Sequence, residues 1–180
     1  MFHYIGAFLV TFMLLGSTPE KEYKGVLIAE ENRCSEYNRE DYQYDLSIER
    51  DIIEKNLGNK LYSPYTRKYY KSAKDLDIDH IVSQREAHDS GLCSRSKATR
   101  KQYGSDLLNL TLTPPEVNRC YRKNSKCDKG VSEWMPEHNK CWFIKQGLEV
   151  RRKYDLSIDR EDVKAIKKQW GKCYNFSIKP

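Results

Sequence analysis

Two apolar stretches decide the fold of this chain. Asp77-Ile-Asp-His-Ile-Val82 has the β-branched and apolar content of a strand. Asp106-Leu-Leu-Asn-Leu-Thr-Leu112 has the same character, and a polar stretch that contains Ser90-Gly91 separates the two. This layout predicts two antiparallel strands joined by a long loop.

Signals for helix starts follow the second stretch and recur elsewhere. Thr113-Pro-Pro-Glu116 offers an N-cap, Pro at the first helical position and Glu at N3, so a helix is predicted that carries Asn118 in its first turns. Other helices are predicted from Ser47, with Gly58 beyond the end, from Cys141 to Tyr154, and from Asp159 to Trp170. The mixture indicates an α+β fold, and 180 residues are enough for one core.

Asp79, His80 and Asn118 together carry the residue types needed to hydrolyse a phosphodiester. That reaction needs a base for water and a cation for the charge that builds on phosphate. A carboxylate and an amide oxygen suit Mg²⁺, and a histidine titrates near neutral pH. Adjacent residues of a regular strand point to opposite faces, so the strand is predicted to end or bend at Asp79-His80. Asn109, on the second strand, is expected to steady the region of His80.

The chain begins with an apolar segment without charged side chains. Residues 1–17 are predicted to be a signal peptide, and residues 18–60 an extension with a short helix before a nuclease domain at 61–180, in one globular unit. The apolar run is too short to span a membrane, and an uncleaved interfacial anchor is the alternative. We therefore expect a secreted protein without stable membrane association after cleavage.

Six cysteines lie beyond this leader, which suggests up to three disulfides in a secreted chain. Fifteen pairings are possible, and the sequence does not choose among them. A zinc site is the rival interpretation, but no Cys-x-x-Cys pair occurs. The disulfide candidates are Cys34, Cys93, Cys120, Cys127, Cys141 and Cys173.

The chain is basic, with 32 Lys and Arg against 26 Asp and Glu and a formal charge of +6. This charge suits a polyanionic partner, although a solvated surface of mixed charge gives the same balance. The candidates for phosphate contacts are Arg119, Arg100, Arg85 and Lys126.

Several ordered motifs resemble one nuclease family. Residues 77–91, which read DIDHIVSQREAHDSG, are similar to the Asp-His…Glu-Ala…Ser-Gly signature of HNH domains like the C-terminal domain of GmrSD-type restriction enzymes. The resemblance continues through Asp106-Leu-Leu-Asn-Leu110, Asn118-Arg119 and Glu133-Trp-Met-Pro136, and it spans about residues 61 to 173. The region between Asn118 and Glu133 looks longer than in the family.

The resemblance implies a ββα-metal (HNH, His-Me finger) core with additional helices. It implies His80 as general base, Asp79 and Asn118 as ligands of one divalent metal, and Asn109 as the residue that steadies His80. Mg²⁺ is the expected metal, with Mn²⁺ as the alternative. Asn124 is the alternative to Asn118 as a metal ligand, and Asn118 is preferred. Glu86 is expected to brace the site by accepting a hydrogen bond from an arginine or a backbone N–H.

The predicted function is a secreted, metal-dependent endonuclease, and the family resemblance implies products with 5′-phosphate and 3′-hydroxyl ends. Its partner is a nucleic acid, with DNA preferred over RNA, and its oligomeric state is open. The alternative is a basic secreted module that binds nucleic acid or another polyanion without turnover. The complete set of four site residues argues against that alternative.

Overall fold

The computed structural model describes residues 21–180, so the predicted signal peptide at 1–17 lies outside the described residues. Short 3₁₀ turns lie at Arg39–Tyr42, Leu46–Ile48, Ala73–Asp75 and Leu92–Ser94. The strands and helices, in chain order, are β1 (Glu22–Tyr23), β2 (Val26–Leu27), α1 (Glu49–Lys55), β3 (Tyr62–Ser63), β4 (Lys68–Tyr69), β5 (Asp77–His80), α2 (Gln84–Asp89), α3 (Lys97–Gly104), β6 (Leu110–Thr113), α4 (Pro115–Asn118), α5 (Lys140–Tyr154) and α6 (Arg160–Trp170).

The two predicted strands pair in the predicted antiparallel sense as β5 and β6. Their register runs without a break from Asp77 opposite Thr113 to His80 opposite Leu110. Both strands are shorter than predicted. β5 ends before Val82, whose backbone binds the Asn109 side chain, and β6 begins only at Leu110 because the Asn109 N–H closes a turn onto the Asp106 carbonyl. Asn109 therefore lies just before β6 and not on the second strand as predicted. No bulge interrupts the pairing, and β5 ends at His80.

The connection between β5 and β6 is not the predicted loop but contains α2 and α3. Each helix begins with a serine cap: Ser83 accepts a hydrogen bond from the N–H of Glu86, and Ser96 from that of Thr99. Both helices are short and strongly polar, so they lack the apolar period that reveals a helix in a sequence.

The helix after β6 exists, but the predicted capping box is wrong. α4 spans only Pro115–Asn118, its cap position is Pro114, and no side chain caps it. Thr113 is the last residue of β6, where its backbone pairs with Asp77. This pairing keeps Thr113 in the strand, and Asn118 becomes the last residue of α4.

The other predicted helices form with adjusted starts. The first begins as the 3₁₀ turn Leu46–Ile48 before α1. Its capping side chain is that of Asp45, which accepts a hydrogen bond from the Ser47 N–H, and not that of Ser47. α5 and α6 match their predicted positions within a residue, and Asp159 caps α6 through the N–H of Asp162.

The buried side chains form three apolar clusters, and the region before residue 61 contributes to each. Tyr23 and Val26 pack with α5 and α6, Tyr42 packs with α2 and α3, and Ile52 packs against β6. Residues on both sides of position 60 share these clusters. The boundary between the extension and the nuclease domain at this position stays a prediction.

All six cysteines form disulfides, namely Cys34–Cys93, Cys120–Cys127 and Cys141–Cys173. The pairs therefore leave no thiolate for the rival zinc site. Within residues 21–180, no helix is both long and apolar enough to cross a membrane.

Candidate functional site

A cleft of about 630 Å³ opens over the end of β5. Asp79 and His80 lie at its floor, with exposed fractions of only 5% and 8%. Asn118, at the end of α4, lines the same cleft. The structure thus brings together the three residues that the sequence singled out for chemistry.

Asp79 is buried, and both of its carboxylate oxygens accept hydrogen bonds. The Tyr65 hydroxyl donates to Oδ2 at 2.7 Å, and the Lys126 ammonium donates to Oδ1 at 3.1 Å. Burial raises the pKa of the Asp79 carboxyl, and the charge of Lys126 opposes that rise. An ionised carboxylate offers about four lone pairs, so two hydrogen bonds leave acceptor capacity towards the cleft.

Lys126 lies inside the protein rather than on the phosphate-facing surface that we expected. Its side chain is 1% exposed, and its ammonium also donates to the backbone carbonyl of His80 at 2.7 Å. The disulfide Cys120–Cys127 closes the loop that carries Lys126, and the Lys126 N–H donates to the carbonyl of Val117 in α4. The loop therefore ties α4 to the end of β5.

The His80 ring is held with one nitrogen towards the protein. Its Nε2 lies 2.9 Å from the carbonyl oxygen of Gly104, and because a carbonyl only accepts, we assign the ring proton to Nε2. Nδ1 is then the basic nitrogen, and it makes no hydrogen bond to residues 21–180. Burial lowers the pKa of His80 to about 4, so the imidazole is neutral at neutral pH. The ring stacks on Tyr103 at 6.1 Å between centroids.

Asn109 is fully buried and does not line the cleft. Its Oδ1 accepts from the Val82 N–H at 2.8 Å, and its Nδ2 donates to the Val82 carbonyl at 3.1 Å. These bonds fix the two residues that follow His80. Asn109 thus contacts the region of His80, as expected, but it binds the backbone of Val82 and not the His80 imidazole.

Asp77 does not line this cleft, but it holds two residues that do. Asn118 Nδ2 donates to Asp77 Oδ2 at 3.2 Å, and Arg119 pairs with both carboxylate oxygens of Asp77 at 2.9 and 2.8 Å. A carboxylate accepts only from the amide nitrogen, so the Asn118 amide oxygen lies on the other side, without a partner in residues 21–180. Asn124, the alternative ligand, is exposed and does not line the cleft.

The remaining predicted residues lie apart from the reacting groups. Arg85 lines the cleft but pairs with Asp128 at 3.3 Å, and Arg100 lies outside it, paired with Asp41. Glu86 accepts from an arginine as expected, but this is Arg151 of α5 at 2.6 Å, in the core behind the site.

Sequence reasoning missed three groups of contacts at the site. Tyr65 packs in the core, and its hydroxyl donates to Asp79. Nothing in the sequence marked Gly104 as part of the site. A Cβ at this position would lie 1.9 Å from the carbonyl oxygen of Tyr42, so only glycine allows the two backbones to lie this close. One cleft wall comes from residues 37–46, a segment whose start shows no periodicity.

The comparison with known families agrees with this geometry. A model of the family described as GmrSD restriction endonucleases, C-terminal domain, matches residues 29–170. The chain belongs to this family. The family indicates a nuclease-like HNH domain, and HNH nucleases generally use a divalent metal.

One relative of this family member is an uncharacterized secreted protein of Arthroderma benhamiae. It is 29% identical over 116 residues, which cover 62% of this chain and 54% of the relative. The chain thus matches about half the length of that relative. No solved structure gives a significant match. The secreted relative and the three disulfides point to an extracellular protein.

Proposed function

We propose that this protein is a secreted, metal-dependent endonuclease in which His80 is the general base. The observation that carries the proposal is that His80, whose Nδ1 makes no hydrogen bond within residues 21–180, lines the same cleft as Asp79 and Asn118. The family's description as restriction endonucleases favours DNA over RNA.

The donor atoms at this floor fit a hard divalent cation. Asp79 supplies a carboxylate oxygen and Asn118 an amide oxygen without another partner, and Mg²⁺ prefers such ligands while keeping several waters. Asp79 and Asn118 would hold the ion, which would neutralise charge on the phosphate and the leaving oxygen. The nearby Lys126 ammonium weakens the attraction of Asp79 for a cation, so we expect modest metal affinity.

The arrangement of β5, β6 and α4 supports the proposal of a ββα-metal core. β5 carries Asp79 and His80, Asn109 directly precedes β6, and the helix after β6 carries Asn118, which is the order expected of a ββα-metal core. The helix is a single turn. The loop closed by Cys120–Cys127 contacts it through the hydrogen bond from the Lys126 N–H to the Val117 carbonyl.

In the proposed reaction, His80 Nδ1 takes a proton from water as the water oxygen bonds to phosphorus. The bond from phosphorus to the 3′ oxygen then breaks, and that oxygen leaves with a proton from solvent. The Gly104 carbonyl accepts from Nε2–H, which leaves Nδ1 as the basic nitrogen, and Asn109 fixes the loop after His80. The low pKa of His80 keeps the base unprotonated at neutral pH.

The test is cleavage of plasmid DNA and of single-stranded DNA and RNA with Mg²⁺, and with EDTA in its place. We expect His80→Ala to lose about 10²–10⁴-fold in rate, the usual contribution of a general base. His138→Ala is the matched control, because His138 lies outside the cleft and is partly exposed. Wild-type protein that binds nucleic acid but cleaves none of it with any divalent metal would show the binding module instead.

A further inference from the structure

A second cleft of about 500 Å³ adjoins the first. The two share five lining residues, and they meet at Arg39 and Tyr44 on one side and Asn118 and Arg119 on the other. A polymer with its scissile bond over His80 therefore has a second space in which to lie.

Arg39 lies at this junction with its charge uncompensated. Its side chain is exposed and makes no hydrogen bond or ion pair within residues 21–180, whereas Arg85 and Arg119 are paired with Asp128 and Asp77. Arg39 also lines the same cleft as His80. A free guanidinium near the reacting atoms is well suited to bind a phosphate through two N–H groups.

Tyr44 provides an aromatic surface in both clefts that Arg39 lines, whereas the Tyr37 ring already contacts Arg85 and Tyr42. Tyr37 and Tyr44 are both half-buried and both line the first cleft, and Tyr44 also lines the second. Bases stack on such rings without sequence preference, provided that they are not already stacked in a duplex.

The depth of the site selects the form of the substrate. Asp79 and His80 are more than nine-tenths buried, so the scissile phosphate has to enter the cleft to reach them. A single strand can bend into a cleft, whereas duplex DNA is stiff over about 150 base pairs.

We propose that the two clefts form one path for an unpaired nucleic-acid strand, in which Arg39 binds a phosphate next to the scissile one and Tyr44 stacks a base. This inference rests on the proposed function, because it takes the cleft over His80 as the place of cleavage.

The test measures equilibrium binding, so that it does not depend on turnover. Fluorescence anisotropy in EDTA compares a single-stranded DNA oligonucleotide, its RNA equivalent and a hairpin duplex of the same sequence. We expect the wild type to bind the single strands at least tenfold more tightly than the duplex.

Two variants with matched controls locate the path. Arg39→Ala should weaken single-strand binding about 10-fold or more and lower the slope of log K against log salt by about 0.7, as for one lost phosphate contact. Arg50→Ala removes the same charge from an exposed helical site outside both clefts and should change affinity less than twofold. Tyr44→Ala should weaken binding about 10-fold, and Tyr174→Ala, at a 96% exposed position, should not.

The outcomes separate this inference from the proposed function. Equal or tighter binding of the duplex, or an Arg39→Ala loss no larger than that of Arg50→Ala, overturns the path even if the protein cleaves nucleic acid. Selective single-strand binding that depends on Arg39, without cleavage under any metal, supports the path and overturns the enzyme.

Discussion

The buried pair of Lys126 and Asp79 allows the sharpest prediction about this protein. Lys126→Met keeps most of the side-chain volume but removes the ammonium, which donates to Asp79 Oδ1 at 3.1 Å and to the His80 carbonyl at 2.7 Å. The carboxylate of Asp79 would then be left buried and uncompensated. Breaking a buried pair in this way costs about 3–5 kcal/mol. That is a large part of a typical free energy of unfolding of about 5–15 kcal/mol.

A double-mutant cycle tests this reasoning. Asp79→Asn removes the charge that Lys126 neutralises, so the combination of Asp79→Asn with Lys126→Met should be more stable than the sum of the single losses implies. We expect a coupling energy of about 2–3 kcal/mol. The measurement is urea unfolding of the four proteins in EDTA at pH 7, followed by tryptophan fluorescence.

Lys164→Met is the matched control for the cycle. Lys164 and its partner Glu161 are each 69% exposed, so this change should cost no more than about 0.5 kcal/mol. Two results would refute the stabilising interaction between Lys126 and Asp79. One is a loss of unfolding free energy below about 1 kcal/mol for Lys126→Met, and the other is a double variant whose loss equals the sum of the two single losses.

Three further predictions concern other parts of the fold. Asn109→Ala should cost about 1–3 kcal/mol in urea unfolding, because the buried N–H of Val82 loses its partner and the Val82 carbonyl keeps only the Tyr103 hydroxyl; unchanged stability would contradict this. Gly104→Ala should cost about 1–3 kcal/mol in the same assay, because its Cβ would lie 1.9 Å from a backbone oxygen; a variant as stable as wild type would rule out that close approach. A hydrogen bond with Glu86, together with partial burial, raises the pKa of Glu31 to about 8. The stability from that folded-state proton is complete below the unfolded pKa of 4.5 and is lost as the pH rises through about 8. Glu31→Gln should therefore raise the melting temperature at pH 9 and leave it nearly unchanged at pH 4, and a rise of equal size at both would argue against the proton.

The sequence by itself determined those features that depend on neighbours along the chain. The apolar content around Asp79 and Asn109 gave two strands, and capping and periodicity gave the helix that begins after Asp159. The even number of cysteines indicated up to three disulfides, and motif order placed His80 beside a carboxylate at the end of a strand. These signals are local because a strand repeats every two residues and a helix about every 3.6.

Only the tertiary structure decided the partners of the site residues. Lys126 lies 47 residues from Asp79 along the chain, and its sequence neighbourhood marks it as one more basic surface residue. The cysteine pairing, and the position of Asn118 in the cleft with Asn124 outside it, depend in the same way on where the loop after α4 returns. Arg39 and Tyr44 come from a segment without periodicity, yet they form a wall of both clefts. Such contacts join distant parts of the chain, and their energies are decided by burial and geometry that no local pattern contains.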